Sequence, residues 1–200
     1  MRLIGYKIGL FSVGLIGILL LASPVLSNVI HLPPEEQFSE LYLLGPNQKA
    51  QDYPYNIDSG QNYSIYIGVG NRLGSAAYYA VNLKLLNETD SLPNATVSSP
   101  SPLQSLYTYQ FLLPKNQSVE LPLAFSFSGV YERENQSSIR SMSINNNNIE
   151  VNKAAIWNSN STAFTYRLLV ELWAYNAKNG AVEYDNRYVY LQLNLTSTLP

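Results

Sequence analysis

Three carboxylates near the C-terminus, Glu171, Glu183 and Asp185, come nearest by type and spacing to doing chemistry. Brought together across a hairpin, such groups can exchange protons with a substrate as general acid and base, or hold calcium. Arg167 and Arg187 share the same stretch, so cross-strand ion pairing is the expected role. The one histidine, His31, sits in a segment with two prolines and two glutamates, where no pocket can form around it. No Ser-His-Asp set, histidine metal cluster or phosphate-cradling loop can be assembled, and Gly68-Val69-Gly70 reads as small residues on the crowded side of a strand. The expectation is therefore a protein that is not an enzyme, with no catalytic residue, no metal and no cofactor.

Binding is the better-supplied chemistry. The chain holds 16 tyrosines and two tryptophans. Trp173, Tyr175, Tyr188 and Tyr190 are placed to form an aromatic strip that could hold a sugar or another protein. Modification is the second possibility. Asn-x-Ser/Thr triplets occur at Asn62, Asn87, Asn94, Asn116, Asn135, Asn160 and Asn194, seven where this composition would give about three by chance. Each falls in an expected turn, at a strand end or on a polar strand face, which suits N-glycosylation.

These residues need strands to position them. An apolar run at 38–44 stops at Gly45-Pro46-Asn47, a turn signal. Residues 62–71 and 76–86 alternate with a period of two, as do 107–113 and 119–127, which Pro114-Lys115-Asn116-Gln117 connects at hairpin length. Pro122 cannot donate a ladder bond, so its strand is expected at an edge or with that side outward. Residues 129–162 turn polar and read as a long surface excursion with short strands at 141–144 and 149–151. The last hairpin is the clearest. Phe164, Tyr166, Leu168, Val170 and Leu172 share one face, and after a turn at Asn179-Gly180 the return strand puts Val189, Leu191, Leu193 and Leu195 on one face. Seven or eight such strands without a helical period imply an all-β, immunoglobulin-like antiparallel sandwich, with a closed barrel as the alternative.

The N-terminus sets the compartment. Arg2 and Lys7 precede a charge-free run over 8–30, which as a helix would reach about 34 Å against a hydrocarbon core of about 30 Å. By the positive-inside rule the rest is exported. Residues 1–30 read as a transmembrane anchor, or as a signal peptide cut near Ser27/Asn28 after the helix-breaking Pro24. Residues 31–37 form an extended spacer and 38–200 the ectodomain. With Arg2 and Lys7 set aside, ten basic residues face 14 acidic ones, a net charge of −4 that excludes attraction to phosphate backbones and hence nucleic-acid partners. No cysteine is present, so burial alone must hold the fold.

The stretch Phe38-Ser39-Glu40-Leu41-Tyr42-Leu43-Leu44-Gly45-Pro46-Asn47, continuing through Lys49-Ala50 to Tyr53-Pro54, resembles the opening of a mainly archaeal family of predicted membrane proteins, the domain of unknown function 1616. Gly60, Ile67-Gly68-Val69 and Asn71 resemble its next strand; Glu171-Leu172-Trp173, Gly180, Glu183-Tyr184 and Arg187 resemble its closing hairpin. Two features depart from the pattern. Members often carry several membrane helices where this chain has one apolar run, and a glycine common after the Gly-Pro-x turn is Gln48 here. The resemblance implies an archaeal cell-surface β domain and transfers no catalytic residue.

The expected protein is a membrane-tethered surface glycoprotein. Its partners would be the bilayer through residues 8–30 and envelope proteins or glycans, with self-association also open. A secreted subunit that builds a filament by donating the strand at 28–44 is the alternative. An enzyme acting on surface polysaccharide is a distant third.

Overall fold

The computed structural model describes residues 6–7, 9–18, 36–159 and 161–195. The chain divides into two compact units, Met1–Glu36 and Gln37–Pro200. In the first, residues 6–7 and 9–18 are helical, with Leu10, Phe11, Val13 and Ile16 exposed. Among the described residues no helix is long and apolar enough to cross a membrane. Residue 8 and residues 19–30 of the expected span, the cleavage point at Ser27/Asn28 and His31 lie outside the described residues.

The second unit is all-β, with ten strands rather than seven or eight. They are β1 (Ser39–Leu44), β2 (Asn56–Ile57), β3 (Asn62–Asn71), β4 (Ala77–Asn87), β5 (Tyr107–Leu113), β6 (Ser118–Arg133), β7 (Gln136–Ile144), β8 (Asn147–Asn158), β9 (Ala163–Asn176) and β10 (Ala181–Leu195). All belong to one curled sheet in the order β1-β3-β6-β7-β8-β9-β10-β2, with β4 on β9 and β5 on β4. The sheet has two wings. β8 runs along β7 in the first and then pairs Trp157 and Asn158 with β9 in the second. Alternate residues of both wings meet in one core, including Ile65, Ile67, Leu123, Phe125 and Ile144 from the first and Tyr79, Val81, Leu83, Leu168, Val170 and Leu193 from the second. β1 and β10 are not paired, so the sheet stays open and the closed-barrel alternative falls.

The polar excursion expected at 129–162 is instead regular sheet. β6 continues to Arg133, and β7 and β8 are full strands. A register shift between Ile139 and Ser141 explains why a period of two failed there: Ser137 and Ile139 are buried before it and Met142 and Ile144 after it. Asn145 and Asn146, with φ of 48° and 66°, make the tight turn into β8, a conformation asparagine tolerates better than most residues.

Pro122 behaves as its chemistry requires. It pairs opposite Tyr66 of β3, and its carbonyl points away from β3 to accept the Tyr109 hydroxyl at 2.6 Å. The missing N–H therefore faces no ladder partner, since β7 joins β6 only from Phe125 onward. Gln48, where the resemblance has glycine, sits at a φ of 55°, the left-handed region that glycine adopts at least cost.

Asn71, fully buried at the end of β3, ties three segments together. Its amide nitrogen donates to the Ser75 and Leu113 carbonyls, each at 2.9 Å, and its side-chain oxygen accepts the Leu73 N–H at 2.9 Å. Its main chain exchanges bonds with Asn116 and Gln117 in the β5–β6 turn.

Candidate functional site

A groove of about 580 Å³ opens where the unpaired edges of β1 and β10 run side by side. Four tyrosines, Tyr42, Tyr53, Tyr55 and Tyr190, share its lining with aliphatic residues of both strands and Gln192, and no lining residue is charged. The ring of Tyr42 lies on Gly68, where any Cβ would collide with it, which is why that strand position needs glycine. Burial, reinforced by Glu120 and Glu40, pushes the Tyr42 hydroxyl above its ordinary range. Tyr53 donates its hydroxyl to the Leu43 carbonyl at 2.8 Å, and the Tyr55 carbonyl accepts the Asn194 N–H at 2.8 Å. Tyr190 lies under the Arg167 guanidinium, 5.7 Å from ring centroid to carbon.

Of the aromatic strip read from the sequence, only Tyr190 lines this groove. Tyr190 is 43% exposed and Tyr175 is 50% exposed, but they sit opposite Leu169 and Val182, some six positions or about 20 Å apart along the hairpin. Between them Tyr188 is half-buried opposite Glu171, and Trp173 is half-buried against Tyr184 with ring centroids 5.9 Å apart. The strip is therefore broken into two ends. Tyr42 and Tyr53 enter the sequence analysis only as part of the family resemblance, and Tyr55 not at all, because the groove draws them from the other edge and from the segment leading to β2. The Tyr-Pro-Tyr at 53–55 was the available signal.

The three carboxylates do not converge, and only Asp185 has one of the expected arginines, Arg187, as its ion-pair partner, two residues along the same strand rather than across the hairpin. Glu171 is fully buried on the outer face of β9, paired with Lys84 of β4 at 2.8 Å rather than with an arginine. Residues 88–106, the connection from β4 to β5, pack over this pair. The Ser101 N–H donates to Glu171 at 2.7 Å, the Ser101 carbonyl accepts from Lys84 at 2.7 Å, and Trp173 Nε1 donates to Glu171 at 3.3 Å. Glu171 Oε1 and the Lys84 ammonium thus fasten the connection to the sheet through the Ser101 main chain, while Glu171 Oε2 ties β4 to β9. Glu183 accepts from the Asn176 and Asn179 amides at the hairpin turn, which hold its carboxyl below the usual range.

Asp185 sits in the irregular stretch of β10 between Tyr184 and Arg187. One of its oxygens is buried without a hydrogen-bond partner, and Arg187 Nε at 3.8 Å is too distant to supply one. Burial raises the carboxyl above its ordinary value, partly offset by Ser39 and Arg187. A raised carboxyl favours folding below its unfolded-state value and loses that contribution as pH rises through the folded-state value. Asp185→Asn is therefore expected to raise the thermal midpoint at pH 7 by roughly 2–4 °C, about 1 kcal/mol for a domain of this size, with the gain vanishing near pH 3. Calorimetry at the two pH values checks this, and an equal gain at both would refute it.

The asparagines of the seven triplets are sorted by their surroundings. Asn62, Asn94, Asn116 and Asn135 are exposed. Asn87 is half-buried, and its amide nitrogen donates to the Ala154 carbonyl at 2.8 Å. Asn194 is buried, with its side-chain oxygen accepting from Gln192 at 3.3 Å and from Thr165 at 3.4 Å. Asn160 lies outside the described residues. Peptide mapping by mass spectrometry of the protein from its native source is expected to show N-glycans confined to the exposed sites, with none at Asn194. Occupancy of Asn194 with the four sites bare would reverse this assignment.

Among the described residues no group of three or more histidine, cysteine or carboxylate side chains could hold a metal ion.

Comparison with known proteins adds a family and little else. No curated protein sequence matches the chain. Among solved structures, a chain of the complex between zinc 2-glycoprotein and prolactin-inducible protein from human seminal plasma aligns at 9% identity and a TM-score of 0.38, over 82% of this chain and 99% of that one. The β-glucosidase of Listeria innocua, crystallised with gluconolactone, aligns at 8% identity and a TM-score of 0.39, over 84% of this chain and 19% of that one. Both likenesses are too slight to support an argument. The family model described as "Domain of unknown function (DUF1616)" matches residues 33–138, more than half of the 200, and the chain belongs to that family.

Proposed function

We propose that this protein is a non-enzymatic, membrane-tethered cell-surface glycoprotein whose β domain binds a component of the envelope through the β1–β10 groove. The groove itself carries the reading: an uncharged hollow edged by four tyrosines, each combining apolar area with a hydroxyl, suits recognition rather than proton transfer. Supporting it, Glu171, the most buried carboxylate, is already committed to Lys84 and Ser101. The four exposed Asn-x-Ser/Thr sites and the basic-then-apolar N-terminus fit a domain displayed outside a membrane, and the family resemblance supports an archaeal setting. The two wings around one core fit the finer description of an immunoglobulin-like sandwich, with β1 and β10 at its open side.

The test is retention of the purified protein on isolated envelopes of its own source. Binding that falls at least tenfold in a Tyr55→Ala, Tyr190→Ala double variant would support the reading. Binding unchanged by that variant, or turnover of a surface polysaccharide lost on Glu183→Gln, would overturn it.

A further inference from the structure

The groove is bordered by main-chain groups as well as tyrosines. In β1 the Phe38 carbonyl accepts from Arg72 beside β3, so alternation turns the N–H and C=O of Ser39, Leu41 and Leu43 the other way, toward β10. The Tyr53 hydroxyl on the Leu43 carbonyl agrees with this parity. In β10 the Asn194 N–H points away from β9 to Tyr55, so Tyr188, Tyr190 and Gln192 likewise turn their N–H and C=O toward the groove. No main-chain hydrogen bond joins the two edges among the described residues.

We propose that this seam takes an extended, uncharged peptide segment from a partner protein, which adds as a strand to the outward edge of β10 between Tyr188 and Gln192. The inference rests on the binding reading above and names the class of partner. Three observations favour a peptide. An extended backbone presents donors and acceptors at the repeat those alternate residues need, and the free edge from 188 to 192 spans about 13 Å, the length of four or five residues. The lining carries no charge, so burying a charged segment there would go uncompensated. A sugar, the competing ligand, would need open ring faces. One face of Tyr42 lies on Gly68, one face of Tyr190 lies under Arg167, and the Tyr53 hydroxyl is spent on Leu43. At the far end of the opening, the bonds to the Leu43 carbonyl and the Asn194 N–H close the ladder and set a limit to the segment.

The experiment is selection of phage-displayed random heptapeptides on the full-length protein in detergent, followed by amide exchange with the best synthetic heptapeptide. The expected result is an uncharged consensus whose binding slows exchange at Tyr188, Tyr190 and Gln192 at least tenfold. N-methylation of alternate peptide residues should abolish binding while methylation of the intervening ones leaves it. Gln192→Pro, which removes an N–H that no ladder partner uses, should weaken binding at least tenfold with an unchanged unfolding midpoint. If that variant does not fold, the methylated peptides decide alone. The proposal is overturned by failure to enrich any peptide, by enriched peptides that leave those amides unprotected, by retention of mannan at the groove in place of a peptide, or by self-association that protects the same amides. Envelope retention that survives any of these leaves the binding reading standing without this partner class.

Discussion

A Glu171→Ala variant is expected to lose about 3–5 kcal/mol of stability, because it leaves the Lys84 ammonium buried without its counter-charge. The loss is large against the roughly 5–15 kcal/mol that holds a typical domain together. Lys84 is 5% exposed at its side chain and Glu171 is fully buried, so water cannot replace the missing partner. The same substitution removes the acceptor of the Ser101 N–H, and residues 88–106 lose their attachment to β9. Two measurements read these effects separately: urea unfolding gives the stability, and proteinase K cleavage within 88–106 reports release of the connection. The double variant Lys84→Met, Glu171→Leu is expected to be less destabilised than the sum of the two single changes, since no charge is then stranded. A cost below about 1 kcal/mol for Glu171→Ala would mean that the pair is reached by solvent and the clamp is not structural.

The second large effect is expected at Asn71. Asn71→Ala removes the donor to the Ser75 and Leu113 carbonyls and the acceptor of the Leu73 N–H, at a residue with no solvent access. Stranding those groups should cost about 2–4 kcal/mol. The effect should also be local. Amide exchange at Leu73 and at Asn116 and Gln117 is expected to accelerate more than in β9, because Asn71 joins the β3–β4 turn to the β5–β6 turn. Equal acceleration throughout the sheet would show that the asparagine contributes only to global stability.

Legibility in the sequence followed the regularity of the backbone. β3 was readable to the residue because Ile65, Ile67 and Val69 keep strict alternation, and the final hairpin for the same reason over 164–172 and 189–195. β7 was not, since an irregularity inside the strand moves the buried positions from odd to even and the intervening serines look like a loop. The ion pair was misassigned because sequence proximity favoured Arg167 and Arg187, whereas strand order puts β4 beside β9 and brings Lys84 to Glu171 from 87 positions away. The groove was the least legible feature. It depends on which two edges come to lie side by side, a property of topology that no local pattern encodes, and only Tyr190 of its tyrosines stood in the strip expected to bind.

The passage of β8 from one wing to the other bears on how the domain comes apart. A strand that ladders with β7 through eight residues between Asn147 and Ile156 and with β9 through its last two is shared by both halves, and the core between them has contributors from each. Neither half can melt while the other keeps its apolar face covered. The domain should therefore behave as a single cooperative unit, so that partner binding at the seam would be felt as added resistance to unfolding even at the distant β6–β7 turn.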